Sequence, residues 1–119
     1  MKVLVSDKMD EAGIDIFRNQ EGIDVDVNTG LSPEALREII GSYDALAVRS
    51  ATKVDKALLD AAVNLKVIAR AGIGLDNVDI DEATRKGVAV MNTPGGNTVT
   101  TAEHAIAMMM SLTRNIPRA

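Results

Sequence analysis

The chain has 119 residues, one histidine, no cysteine and a formal net charge of −4. That length makes one domain able to bury a core without a disulfide or metal staple, and the absence of cysteine beside a single histidine excludes thiolate catalysis, iron–sulfur ligation and ordinary zinc sites. An acidic balance with no basic cluster argues against nucleic acid, Met1–Val5 meets Asp7 too soon for a signal peptide, and no apolar run spans a membrane, so a soluble cytoplasmic protein is expected.

Apolar runs alternate with segments of helical period, the pattern of parallel strands joined by crossover helices. Val3–Val5 is the first strand. After Asp7 and Lys8, the residues Met9, Ala12, Ile16 and Phe17 share one face of a predicted helix, which Gly22 closes. Residues 23–27 alternate strictly between apolar residues and aspartates, predicting an edge strand with its acids in water. Ser32, Pro33 and Glu34 supply an N-cap, a first-turn proline and a first-turn acid for a helix whose apolar side is Leu36, Ile39 and Ile40, and Gly41 stops it.

Ala45–Val48 shows no alternation and reads as an interior strand ending in Arg49 and Ser50. Asp55 caps a short helix through Leu58, Leu59 and Ala62. Val67–Ala69 is a strand buried on both faces that stops at Arg70 and opens into Gly72-Ile73-Gly74. Asp79 caps the next helix, with Asp81 and Glu82 in its first turn and Arg85 and Lys86 in its last, all suiting the helix dipole, and Gly87 just past it. Val88–Val90 is the fifth strand and leads into the polar turn Asn92–Asn97.

Thr100 and Glu103 have capping-box spacing for a last helix, which Pro117 stops. Ala102, Ala105, Ile106, Met108, Met109, Met110, Leu112 and Ile116 leave it apolar nearly all round, whereas a surface helix has a wet face. Such a helix needs a partner on both sides. A homodimer closing on residues 101–116 is the expectation, since a self-complementary patch closes naturally about a two-fold axis. The plainer reading packs it under a neighbouring helix of its own domain, with the methionines as filler.

Five parallel strands with right-handed crossovers make an open α/β sheet, whose ligands bind outside the carboxyl ends of the strands. Asp7 and Lys8, Arg49 and Ser50, Arg70 with its glycines, and Asn92–Asn97 all fall on that edge. Two arginines, a lysine, side-chain amides and the N–H groups of Gly72 and Gly74 suit a small anion carrying carboxylate or phosphate. Either arginine alone reads as a solvated strand-end charge; both beside a glycine turn read as a site. His104 and Glu103 diverge around the last helix and make no acid/base pair. Asn77 stands where the third glycine of a dinucleotide fingerprint belongs, so these residues by themselves show no nucleotide site. A phosphorylation receiver needs an acid where Arg49 stands and a lysine where Asn92 stands.

Val48-Arg49-Ser50-Ala51-Thr52-Lys53-Val54, Arg70-Ala71-Gly72-Ile73-Gly74-Leu75-Asp76-Asn77-Val78-Asp79, Ala83-Thr84-Arg85-Lys86-Gly87-Val88 and Asn92-Thr93-Pro94-Gly95-Gly96-Asn97 through Glu103 follow one another in an order that resembles the D-isomer-specific 2-hydroxy acid dehydrogenases. The likeness is to members acting on 3-phosphoglycerate. It implies that residues 1–98 are a flavodoxin-like substrate domain and that residues 99–119 form a crossover helix toward a nucleotide-binding domain. It also implies that the Gly72–Gly74 turn meets the substrate carboxylate, that Arg49, Ser50 and Arg70 hold the phosphate, and that Asn92 lines the interdomain cleft. Ile73 stands near the cofactor, NAD, where relatives often carry threonine. The family's nucleotide fingerprint and its catalytic arginine, glutamate and histidine are expected beyond Ala119, leaving this chain inactive alone. A stand-alone anion-binding or scaffolding module is the alternative.

Overall fold

The computed structural model describes residues 1–118. The elements in chain order are β1 (Lys2–Val5), α1 (Glu11–Arg18), β2 (Asp24–Val27), α2 (Pro33–Ile40), β3 (Ala45–Val48), α3 (Lys56–Ala61), β4 (Val67–Arg70), α4 (Ile80–Arg85), β5 (Ala89–Met91) and α5 (Thr98–Thr113), followed by a 3₁₀ turn (Ile116–Arg118). The strands form one parallel sheet in the order β2-β1-β3-β4-β5, the flavodoxin-like order.

Register divides the sheet into two faces. Leu4, Leu46 and Ile68 are aligned across β1, β3 and β4 and are essentially without solvent exposure. They form one core with Leu36 and Ile40 of α2, Leu58 and Leu59 of α3, and Ala83 of α4. On the opposite face Val3, Val5, Ala45 and Ala47 are buried, and Ile14 is the buried residue of α1. That face opens toward β5, where Met91 is 59% exposed.

Several elements depart from the sequence reading in instructive ways. Asp10 caps α1 by accepting the Ala12 N–H, so the helix starts after Met9 and turns Ile14 inward; Ala12 and Ile16, expected inside, are exposed. In β2, an edge strand as expected, Val27 is exposed while Asp26 is half-buried, because Asp26 accepts the Tyr43 hydroxyl at 2.8 Å and pairs with Lys2. α5 begins at Thr98 with no side-chain cap, and Thr100 lies inside it, donating its hydroxyl to the Asn97 carbonyl. The expected capping box is therefore not formed. Asn115, with φ at 53°, turns the chain before Pro117 is reached. No residue of α5 is buried, so its own domain does not cover it.

The buried polar residues among those described are Ser6 and Asp7, where β1 leaves the sheet. Asp7 Oδ2 accepts the N–H groups of Arg49 at 2.7 Å, Ala51 at 3.1 Å and Thr52 at 3.1 Å. Its Oδ1 accepts the Thr52 hydroxyl at 2.5 Å. With that proton committed, the Ser6 hydroxyl donates to Thr52 Oγ1 at 2.9 Å. One carboxylate thus folds the loop after β3 around itself. Burial pushes the Asp7 carboxyl up, but the Thr52 hydroxyl and the three N–H donors outweigh it and hold the group below the usual carboxylate value.

A depressed carboxyl pKa stabilises the fold above the ordinary value of about 3.9 and loses that contribution as pH falls through the folded value. The carboxyls of Asp26, Asp44 and Asp60 are depressed as well, so the comparison must be with a variant. Asp7→Asn places an amide against N–H donors and should cost about 2–4 kcal/mol in urea denaturation at pH 7. The gap to the parent should narrow at pH 3. Equal stability at pH 7 would contradict the role given to Asp7.

Candidate functional site

The loops carrying the expected site residues leave neighbouring strands at the same sheet edge: Asp7 after β1, Arg49 and Ser50 after β3, Arg70 at the end of β4, and Asn92 after β5. The chain runs from β1 out to β2 and then crosses back to β3, so the crevice between the β1 and β3 exits is the topological switch point. Asp7 occupies its floor. With the N–H groups of its loop turned down onto Asp7, Arg49 stands at the rim, exposed, its Nη1 donating to the Lys8 carbonyl at 3.3 Å. Arg49 has no carboxylate partner within salt-bridge distance among the described residues. Ser50 is exposed beside it.

Arg70 is placed differently. Its side chain is only 11% exposed and folds back over its own turn, with Nε donating to the Arg49 carbonyl at 3.3 Å and Nη1 donating to the Gly74 carbonyl. The fold-back fills the space a side chain at Gly72 would take. A Cβ at Gly72 would stand 2.7 Å from Arg70 Nη1, and one at Gly74 would stand 3.0 Å from the Asp76 carboxylate. Asp76 lies 3.8 Å from Arg70 Nη2 but is largely exposed, so this pair adds little.

The donors of the turn also differ from the sequence reading. Gly72 N–H closes a tight turn onto the Arg70 carbonyl at 3.0 Å, so it does not face outward with Gly74. The N–H groups of Ile73 and Gly74, like those of Leu75, Asp76 and Asn77 after them, have no protein partner among the described residues. The turn's carbonyls are tied down, since Gly72 O accepts the Thr93 N–H at 3.0 Å and Ile73 O accepts Asn92 Nδ2 at 2.8 Å. Asn92 therefore holds the glycine turn to the β5 loop. Ile73 carries an exposed apolar side chain at the tip.

A cleft of about 490 Å³ opens on the α1 side of this edge, lined by Arg49, Ala71, Gly72, Thr93, Gly96 and Asn97, with Met9, Asp10 and Gly13 from the start of α1. It joins the loops after β1, β3, β4 and β5, and it is the candidate site. Of the residues expected there, Arg49 and Gly72 line it, while Ser50, Arg70, Ile73, Gly74 and Asn92 do not. Met9, Asp10 and Gly13 were missed, although their position just past β1 puts them on the same edge. A second cavity of about 230 Å³ lies across Asp7, lined by Leu31, Arg37, Lys53 and Leu58 among others. It includes none of the expected anion-binding residues. His104 is exposed on α5 and lines neither space. No group of three or more metal-ligating side chains occurs among the described residues, and no helix of the structure is long and apolar enough to cross a membrane.

The chain is similar to known proteins over its whole length. It is 52% identical to D-3-phosphoglycerate dehydrogenase of Archaeoglobus fulgidus over 119 residues, covering all of this chain and 22% of the relative. It is 43% identical to hydroxypyruvate reductase of Thermotoga maritima over 118 residues, covering 99% of this chain and 38% of the relative. The solved structure of NAD⁺-bound 3-phosphoglycerate dehydrogenase of Entamoeba histolytica superimposes with a TM-score of 0.80 at 34% identity, over 93% of this chain and 38% of that one. The chain thus spans between about a fifth and two fifths of the relatives it matches. Residues 3–116 match the model of the catalytic domain named D-isomer specific 2-hydroxyacid dehydrogenase, and with the parallel sheet and its edge cleft this establishes that the chain belongs to that family.

Proposed function

We propose that this chain is the substrate-holding part of an NAD-dependent D-3-phosphoglycerate dehydrogenase, which oxidises the 2-hydroxyl of 3-phospho-D-glycerate to 3-phosphohydroxypyruvate for serine biosynthesis in the cytoplasm. The observation that carries this reading is Arg49, a guanidinium without a carboxylate partner that lines a cleft together with Gly72, the residue before two N–H groups without partners. A guanidinium recognises phosphate and paired N–H groups recognise a carboxylate, and 3-phosphoglycerate presents both. The Ile73 and Gly74 N–H groups take the carboxylate, Arg49 and Ser50 take the phosphate, and Arg70 with Asn92 shapes the turn between them.

The residues present do not make a dinucleotide site, since Gly72 N–H closes its own turn and Asn77 replaces the third glycine of the fingerprint. Ile73 offers NAD an apolar contact and no more. Nothing lining the cleft pairs an acid with a base, and hydride transfer from C2 requires a base for the proton of the 2-hydroxyl. The chain alone therefore holds substrate without turning it over.

Titration of the chain with 3-phosphoglycerate and with D-glycerate, followed by NMR, tests the phosphate assignment. Arg49→Ala should raise Kd for the phosphorylated ligand about 10- to 100-fold, from a charge-assisted contact of roughly 1.5–3 kcal/mol, and leave D-glycerate nearly unchanged. Equal losses for both ligands would make Arg49 structural and favour an unphosphorylated substrate.

We propose in addition that α5 closes a homodimer. Ile106, Met109, Met110, Leu112 and Ile116 are each 53–72% exposed and form an apolar stripe of the kind soluble monomers rarely leave bare. Light scattering across a dilution series should show a dimer that Met109→Glu with Leu112→Glu dissociates. A parent chain that stays monomeric at high concentration contradicts the proposal.

A further inference from the structure

Asn77 lies three residues beyond the glycine turn, yet its side chain reaches into the loop after β3. Its Nδ2 donates one hydrogen to the Arg49 carbonyl at 2.8 Å and the other to the Thr52 carbonyl at 2.7 Å. Those are the first and last residues of the segment that Asp7 holds through its N–H groups. The segment is thus fixed from both sides, its N–H groups by β1 and its carbonyls by the loop after β4. The Arg49 carbonyl receives two donors from that loop, Asn77 Nδ2 and Arg70 Nε at 3.3 Å. The backbone of Asn77 is rooted beside them, its carbonyl accepting the Val54 N–H at 2.8 Å.

One atom of Asn77 gains nothing. With both amide hydrogens aimed at carbonyl oxygens the side chain cannot flip, because flipping would bring oxygen against two oxygens. Its Oδ1 is left buried with no hydrogen-bond partner. Buried polar atoms are seldom left so, and an orphan calls for a reason other than local stability. The position demands a double donor: aspartate would set a charge against two carbonyls, and leucine would leave both carbonyls bare.

From this geometry we propose that Asn77 is a positioning residue, which sets where the Arg49 guanidinium stands relative to the Ile73 and Gly74 N–H donors. The inference rests on reading the cleft as an anion site. Asn77 does not touch the ligand; it couples the loop that recognises one end of the ligand to the turn that recognises the other.

The test is a double-mutant cycle on the chain, with Kd for 3-phosphoglycerate read by NMR and the amide spectrum reporting that each variant is folded. Asn77→Ala should weaken binding about 10-fold. In the Arg49→Ala background the same change should cost less than 2-fold, because the group it positions is gone. A purely structural role predicts equal factors in both backgrounds, and that result overturns the proposal. If Asn77→Ala fails to fold, Asn77→Ser, which retains one donor, carries the same comparison. Weakening by Arg49→Ala with no effect of the Asn77 variants sinks the inference alone. No effect of Arg49→Ala sinks the anion site and the inference with it.

Discussion

The carboxylate of Asp7 is the interaction on which the functional edge depends. An open parallel sheet leaves a crevice where the strand order reverses, and loop N–H groups there ordinarily face a ligand. Here the protein fills the floor of the crevice with its own anion, which takes the N–H groups of Arg49, Ala51 and Thr52. The Arg49 side chain and Ser50 are left at the rim. In the proposed site an anionic ligand is met one layer further out, by a side-chain charge and by the N–H groups of the next turn. Negative charge beneath the loop does not cancel that role, because the Asp7 oxygens are already directed at four donors from Arg49, Ala51 and Thr52.

The second constraint is the fold-back of Arg70. The guanidinium takes the space that a side chain at Gly72 would occupy, and it holds the Gly74 carbonyl in place. With Gly72 O, Ile73 O and Gly74 O each accepting a hydrogen bond, the peptide planes of the turn are fixed. The Ile73 and Gly74 N–H groups are then preorganised, which lowers the ordering cost when an anion binds. Three elements far apart in sequence, the β1 exit, the glycine turn and the β5 loop, thereby become one rigid edge.

Much of this was legible in the chain because the signals are local. Unbroken apolar runs marked β3 and β4 as interior strands, caps at Ser32, Asp55 and Asp79 placed α2, α3 and α4, and the all-round apolarity of residues 102–116 matched a helix that its own domain leaves bare. Most of what was misread depends on partners distant in sequence. The buried side of α1 is set locally, by Asp10 capping the helix, but Asp26 is drawn inward by Tyr43, 17 residues away. Asp7 serves a loop more than 40 residues along, and Asn77 reaches back 25 and 28 residues. No periodicity or spacing encodes such contacts, which exist only once β1, β3 and β4 lie side by side. The sequence reading paired Gly72 with Gly74 as donors because both lack a side chain; the turn geometry decides that Ile73 replaces Gly72.

The central claim is that a carboxylate- and phosphate-bearing ligand binds on the outward side of the Asp7 loop, against Arg49 and the glycine turn. Mapping backbone amide shifts of the chain on addition of 3-phosphoglycerate tests it most directly. The account predicts that the largest shifts fall on Ile73, Gly74 and Ser50, with Gly72 and the amides bound to Asp7 moving little. Shifts centred instead on Arg37, Lys53 and Leu31, around the cavity on the other side of Asp7, would contradict it.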